Sequence, residues 1–300
     1  MALDKPPAAP SMISNALWFT VFFVGLFLLW LIFIGPDDPR SQSGILINPP
    51  APLGDGAQYG DVPGIDSERL SDGPRSLSFG HVRLGDQEGG SRSVNPQNEY
   101  LIISLEATAP KNVVLTNFQI MGSEGETMTI PRGAPRFVQG KISTAEPIVM
   151  APGDVAILVS GVSPLGVSFR LNACSGYLEQ FQDFTPPLRA TCPSPVDFSS
   201  NTSVTPDQSC VQFAASMPTC TVPIALETPG LKEQSSSCRQ YLDERASYNG
   251  CVEAHKGDGN FDGREWRIYL GSASELWQKG EVIELRDESG LIVDTLQLAE

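Results

Sequence analysis

Histidine is almost missing from this chain: His81 and His255 are the only two in 300 residues. A hydrolase built on a histidine base would have to use one of them. The chain has no HExxH, GxSxG, SxxK, Walker loop or GxGxxG to supply the rest of such a site. The nearest approach, Gly161-Val-Ser163-Pro-Leu-Gly166, misses the nucleophile-elbow spacing by one residue. Basic side chains are also scarce, with 20 Lys+Arg against 35 Asp+Glu. A net charge of -15 repels phosphate backbones, which excludes a nucleic-acid partner. Charged residues make up only 18%, while 28 Gly and 25 Pro suit strands and turns better than long helices. No CxxC pair occurs, so neither a zinc ribbon nor a dithiol redox motif is written into the chain.

What is present starts near the N-terminus. Residues 16–34 are apolar except for Thr20 and carry no charge, about 28 Å as a helix and close to the thickness of a bilayer core. Trp18 and Trp30 stand near its ends, with Lys5 before it and Asp37 and Asp38 after it. A cleaved signal peptide is the competing reading. The run is longer than the usual apolar region of such a peptide, and Gly35-Pro36-Asp37-Asp38 offers no small-x-small cleavage site. The expectation is an uncleaved single-pass transmembrane helix over 16–34, with residues 1–15 as a cytoplasmic tail.

Six cysteines, Cys174, Cys192, Cys210, Cys220, Cys238 and Cys251, all follow the anchor within 78 residues. An even, clustered set without metal spacing reads as disulfides, and disulfides persist in an oxidising compartment. The C-terminal bulk is therefore expected outside the cytoplasm, at the cell membrane. Residues 35–76 hold seven Pro and seven Gly and no sustained periodicity, a flexible tether with a root-mean-square reach of roughly 35 Å.

From residue 77 the pattern turns to short strands: 78–84, 99–107, 112–122, 126–134, 155–161 and 167–173, and then 265–271, 281–287 and 291–298. Turn signals such as Ala151-Pro152-Gly153-Asp154 and Asp287-Glu288-Ser289-Gly290 separate them. The expected class is mainly β, a β-sandwich over 77–300.

The strand EYLIISL, the strand VLTNFQI, the segment APGDVAILVSG and the closing run Leu276-Trp277-x-x-Gly280-x-x-Ile283-x-Leu285-x-Asp287-x-x-Gly290-x-x-Val293-Asp294 together resemble a lamin tail domain. The likeness covers about 77–172 and 265–298. It implies an immunoglobulin-like sandwich, a binding or scaffolding role, and no catalytic residues to carry over. Residues 174–264, with all six cysteines, stand as an insertion that departs from the family pattern.

Within the insertion, Cys174, Cys210 and Cys238 are each followed three residues later by an aromatic: Tyr177, Phe213 and Tyr241. On a helix these pairs share a face. Two bridging schemes are open. One is two antiparallel helices closed by Cys210–Cys251 and Cys220–Cys238, with a local Cys174–Cys192. In the other, each stretch closes on itself. Asp258-x-Asn260-x-Asp262-Gly263 matches the first half of a calcium loop, but the place of its bidentate acid falls on Tyr269. A polar turn and a calcium site made by Asp258, Asn260 and Asp262 both remain open. No other cofactor is implied.

The functional expectation is a membrane-anchored, non-catalytic binding or scaffolding protein of the cell envelope, with an envelope protein or polysaccharide as partner. A rigid sandwich would present the insertion at one end, with Tyr177, Phe181 and Phe184 as candidate contact residues. Two rivals stand beside it. One is an extracytoplasmic hydrolase with a carboxylate-based site between insertion and sandwich, and the other is a purely structural spacer.

Overall fold

The computed structural model describes residues 21–28, 73–87, 89–122, 125–141, 143–196, 204–225 and 227–299. The chain divides into two compact units, Met1–Pro63 and Gly64–Glu300. In the first, residues 21–28 form helix α1, and every one of them is exposed. The rest of the expected span 16–34, the tail 1–15 and the tether as far as residue 72 lie outside the described residues. No helix of the described residues is long and apolar enough to cross a membrane.

The second unit is mainly β. Its strands are β1 (Val82–Gly85), β2 (Tyr100–Leu105), β3 (Val113–Val114), β4 (Gln119–Met121), β5 (Thr127–Thr129), β6 (Gly133–Ala134), β7 (Val149–Met150), β8 (Val155–Val159), β9 (Ser168–Asn172), β10 (Asp262–Tyr269), β11 (Val282–Arg286) and β12 (Ile292–Gln297). They form a six-stranded sheet in the order β1-β2-β8-β10-β9-β6, a four-stranded sheet β12-β11-β4-β5, and a small ribbon β3-β7. The two larger sheets share one core, which holds Leu101, Ile103, Leu158, Trp266, Ile283 and Val293. At their edges, Leu84 N donates to Asp294 Oδ2 at 2.7 Å.

Two strands expected to be continuous are broken, each for a local reason. The run 112–122 splits into β3 and β4 around Asn117, whose φ of 71° is a left-handed conformation that Asn tolerates better than most residues. The run 126–134 splits into β5 and β6 at Pro131, which has no N–H to give a ladder.

The period of two along β8 explains the third layer. Ala156 and Leu158 face the four-stranded sheet, while Ile157 and Val159 point to the opposite side. Tyr100, Phe169 and Tyr269 join them there in a second core, closed by Phe137, Tyr177, Leu178, Phe184, Tyr248 and Val252. A sheet apolar on both faces needs cover on both. The insertion supplies it, so it lies across the back face of the six-stranded sheet rather than at one end of the sandwich as expected.

The insertion leaves and returns at one point. Ala173 N donates to Phe261 O at 2.8 Å, and Asn172 pairs with Asp262 as β10 slides between β8 and β9, parallel to the first and antiparallel to the second. Inside it lie a 3-10 turn at Ser175–Gln180 and helices α2 (Gln208–Ser216), α3 (Ser236–Arg245) and α4 (Tyr248–His255). Asp207, Ser235 and Ser247 cap the three helices by accepting from the backbone N–H of Cys210, Cys238 and Gly250.

The bridges are Cys174–Cys251, Cys192–Cys220 and Cys210–Cys238, with Cα separations of 5.8, 5.2 and 5.4 Å. Both expected connectivities are thereby corrected. Cys210 and Cys238 begin separate helices and join them at their first turns. Cys174 reaches Cys251 because the β9–β10 pairing brings the two ends of the insertion together.

The closing run that carries the family likeness is structural throughout. Trp277, Ile283, Leu285 and Val293 are core, and Gly280 and Gly290 take φ of 73° and 77°. Asp287 Oδ1 accepts from Ser289 N and Leu291 N at 2.9 and 3.0 Å to shape the β11–β12 turn. Fully buried Glu99 ties this run to β2 by accepting from Leu276 N at 2.8 Å and Trp277 N at 3.0 Å.

Burial raises the Glu99 carboxyl above its ordinary value of 4.5, and the backbone donors at Leu276 and Trp277 only partly oppose this. A raised folded-state pKa means stability fully present below pH 4.5 and lost as pH rises through the raised value. Glu99→Gln keeps an acceptor and removes the titration. The variant is expected to gain on the unaltered protein between pH 4 and pH 7, whatever constant offset the amide introduces. Urea midpoints at the two pH values measure this, and an unchanged difference would refute it.

Candidate functional site

A cleft of about 400 Å3 opens where the insertion meets the six-stranded sheet. It is lined by Val155 and by residues of three stretches, 171–175, 189–191 and 260–265, among them Arg189, Thr191, Phe261 and Glu265. The register of β10 against β9 shifts between Asp262 and Trp266, and Arg264 Nη1 lies over the Gly153 turn, 2.9 Å from where a Gly153 Cβ would stand.

The seam below the cleft is fully bonded. Asn172 Oδ1 accepts from Cys174 N at 2.9 Å, and its Nδ2 donates to Tyr248 Oη at 3.0 Å. Tyr248 Oη in turn donates to Phe137 O at 2.9 Å. Ser175 Oγ accepts from Asn172 N at 2.8 Å. Gly176 is required here, because a Cβ would collide with Cys220 Sγ and come within 2.7 Å of Arg189 O. The glycine thus lets the Cys192–Cys220 bridge lie against the turn that holds the Arg189 backbone.

The charges around the cleft are unevenly matched. Glu265 Oε1 is 2.8 Å from Arg267 Nε, and Arg267, 2% exposed, also donates to Pro186 O and Pro187 O of the insertion. Asp154, beneath the cleft, accepts from Arg170 Nη2 at 3.3 Å, while Arg170 Nε donates to Gly263 O at 2.7 Å. Arg189 and Arg264, both exposed, have no ion pair or hydrogen bond among the described residues. Burial pushes the phenols of Tyr177, Tyr248 and Tyr269 up to about 12, so they stay protonated near neutrality.

The residues singled out from the sequence are scattered. Tyr177 and Phe184 are core rather than contact residues, at 2% and 4% exposure, and the Phe184 ring packs 5.9 Å from that of Phe169. Phe181 is exposed but does not line the cleft. Asp258 Oδ2 lies 2.8 Å from His255 Nδ1, Asp262 pairs with Arg136 at 3.4 Å, and Asn260 joins the cleft wall. The three ligands expected of a calcium loop therefore turn to three different neighbours. Among the described residues, no group of three or more His, Cys, Asp or Glu could hold a metal ion. Ser163 is spent on its own turn, donating to Val167 O at 2.7 Å and accepting from Leu165 N at 3.1 Å. The sequon Asn201-Thr202-Ser203 lies outside the described residues.

Arg189, Thr191, Phe261 and Arg264 escaped the sequence reading. No local pattern marks an arginine that will lack a carboxylate once strands distant in sequence have paired. Compared with protein-family models, curated proteins and solved structures, the chain matches none.

Proposed function

We propose that the protein is a membrane-anchored, extracytoplasmic binding module of the cell envelope, an immunoglobulin-like sandwich of the lamin-tail type whose back face carries a disulfide-stapled insertion. The observation that carries the reading is the cleft at the seam. It draws its lining from Val155 and three stretches of chain, 171–175, 189–191 and 260–265, and its single carboxylate, Glu265, is already held by Arg267. A hydrolase of the carboxylate type asks for converging acids; this cleft has the composition of a recognition site.

All six cysteines are consumed in three bridges, which suits an oxidising compartment. The anchor reading rests on the uncharged run 16–34 and on α1, where Val21, Phe22, Phe23 and Val24 are consecutive and all exposed. Four successive apolar side chains point around most of a helix, so no single protein face would bury them and a lipid environment does.

Expression of the full chain in a bacterial host tests this. The protein is expected to stay in the membrane pellet through alkaline extraction. Protease added to spheroplasts is expected to release a fragment of the size of residues 77–300 that migrates faster unreduced than reduced. Extraction into the soluble fraction, or protection of the domain from external protease, would overturn the reading.

A further inference from the structure

We propose that two copies of this chain pair through strand β5, edge to edge and antiparallel, so that their four-stranded sheets join into one of eight strands. The inference goes beyond the binding-module reading and does not depend on it.

The ends of the two large sheets are where backbone groups lack a neighbouring strand. Three of these four ends are closed within the chain. β6 is closed by Glu146, which exchanges two backbone bonds with Gly133 at 2.9 and 2.8 Å. β12 is crossed at Ile292 by residues 74–76, and its Asp294 accepts from Leu84 N of β1, so these two ends cover each other. β5 has no strand bonded to its outer side among the described residues. Ile130 N donates to Phe118 O and Glu126 O accepts from Gly122 N, so residues 126, 128 and 130 direct their backbone groups to β4. By the alternation of an antiparallel ladder, the N–H and C=O of Thr127 and Thr129 face outward, and both residues are exposed.

The edge itself identifies its occupant. Thr127-Met128-Thr129 reads the same in both directions, so a two-fold axis beside Met128 sets Thr127 of each copy opposite Thr129 of the other. Those two pairs exchange four N–H···O bonds, and Met128 stands opposite its own counterpart as the non-hydrogen-bonded pair. Threonines directly opposite each other are a favourable cross-strand pair. Register is bounded at both ends: Gly125, with φ of 86°, turns the chain before the strand, and Pro131 has no N–H to extend the pairing after it.

Charge is complementary as well. A net charge of -15 makes two copies repel in general, whereas residues 126–132 hold one acid, Glu126, and one base, Arg132, and are neutral together. Antiparallel pairing brings the Glu126 end of each strand to the Arg132 end of the other. Both side chains are exposed and have no ion pair among the described residues. A foreign strand would make the same backbone bonds; the threonine match and the charge match are properties of the chain paired with itself. Three residues make a small contact, so the pairing is weak and concentration-dependent, a condition that confinement to one membrane would favour.

The test is oxidative crosslinking of the full chain, in whichever cell fraction it is recovered, with single cysteines added to a chain whose own six are bridged. The Cα atoms of a non-hydrogen-bonded pair stand about 4.5 Å apart, within disulfide reach. Met128→Cys is therefore expected to crosslink to itself at least tenfold faster than Thr127→Cys or Thr129→Cys alone, although those two positions are the more exposed. When mixed, Thr127→Cys and Thr129→Cys are expected to crosslink to each other faster than either does to itself. Adding Thr127→Lys/Thr129→Lys to Met128→Cys sets like charges opposite one another. It is expected to cut the crosslinking rate tenfold or more without lowering the melting temperature. No dimer from Met128→Cys, equal rates for the three single variants, or a rate unmoved by the lysines would overturn the proposal. Crosslinking of Met128→Cys to another protein in place of itself would assign the edge to a different strand and overturn it too. The fraction in which the chain is found bears on the anchor alone, and the crosslinking pattern on the pairing alone.

Discussion

Replacing Cys174 and Cys251 together by alanine is expected to lower the unfolding free energy by about 4–5 kcal/mol, the largest loss among the three bridges. The reason is loop length. Cys174–Cys251 closes a separation of 77 residues, against 28 for each of the other two. The chain-entropy relation gives about 4.5 kcal/mol for the long loop and about 3.6 kcal/mol for each short one. Burial does not set the order, because Cys174 and Cys251, 0% and 4% exposed, are matched by Cys210 and Cys238 at 0% and 1%. Urea denaturation of the three paired-alanine variants checks the order. Equal losses, or a smallest loss for the Cys174/Cys251 pair, would show that the bridge acts through something other than closure of the insertion.

The contrast between bridges and strands shows what a sequence can carry. The β11–β12 hairpin was legible because its determinants are local: alternating Ile283 and Leu285, an Asp287 placed to accept turn N–H groups, and a Gly290 free to take positive φ. The even cysteine count was legible as disulfides for the same reason. Connectivity was not, since it depends on β10 entering between β8 and β9 after a long excursion, a pairing no short-range pattern encodes. The calcium-like spacing misled because ligand positions in sequence do not fix orientation. The end of α4 places His255 to claim Asp258, and β10 begins at Asp262. Aromatics offered the same ambiguity. Tyr177 and Phe184 were needed to cover the second face of a sheet whose two-sided burial was written in EYLIISL and VAILV, yet what would cover that face was not.

Arg267→Leu is expected to cost about 3–5 kcal/mol, although leucine is the more apolar side chain. Arg267 sits in the central strand β10 with its side chain in the second core, where it neutralises Glu265 and satisfies the carbonyls of Pro186 and Pro187. Leucine leaves those carbonyls without their donor and an acid without its cation, and the desolvation of the unpaired groups outweighs any gain in apolar contact. Glu265 is the more solvated partner, at 22% side-chain exposure against 3%, so Glu265→Gln should cost only about 1–2 kcal/mol. The double variant should cost less than the sum of the two, because removing both ends of the pair leaves no isolated charge. A full double-mutant cycle by urea denaturation measures this coupling. Strict additivity would mean that Arg267 acts through Pro186 and Pro187 alone. A neutral Arg267→Leu would mean that the arginine does not hold the insertion to the sheet at all.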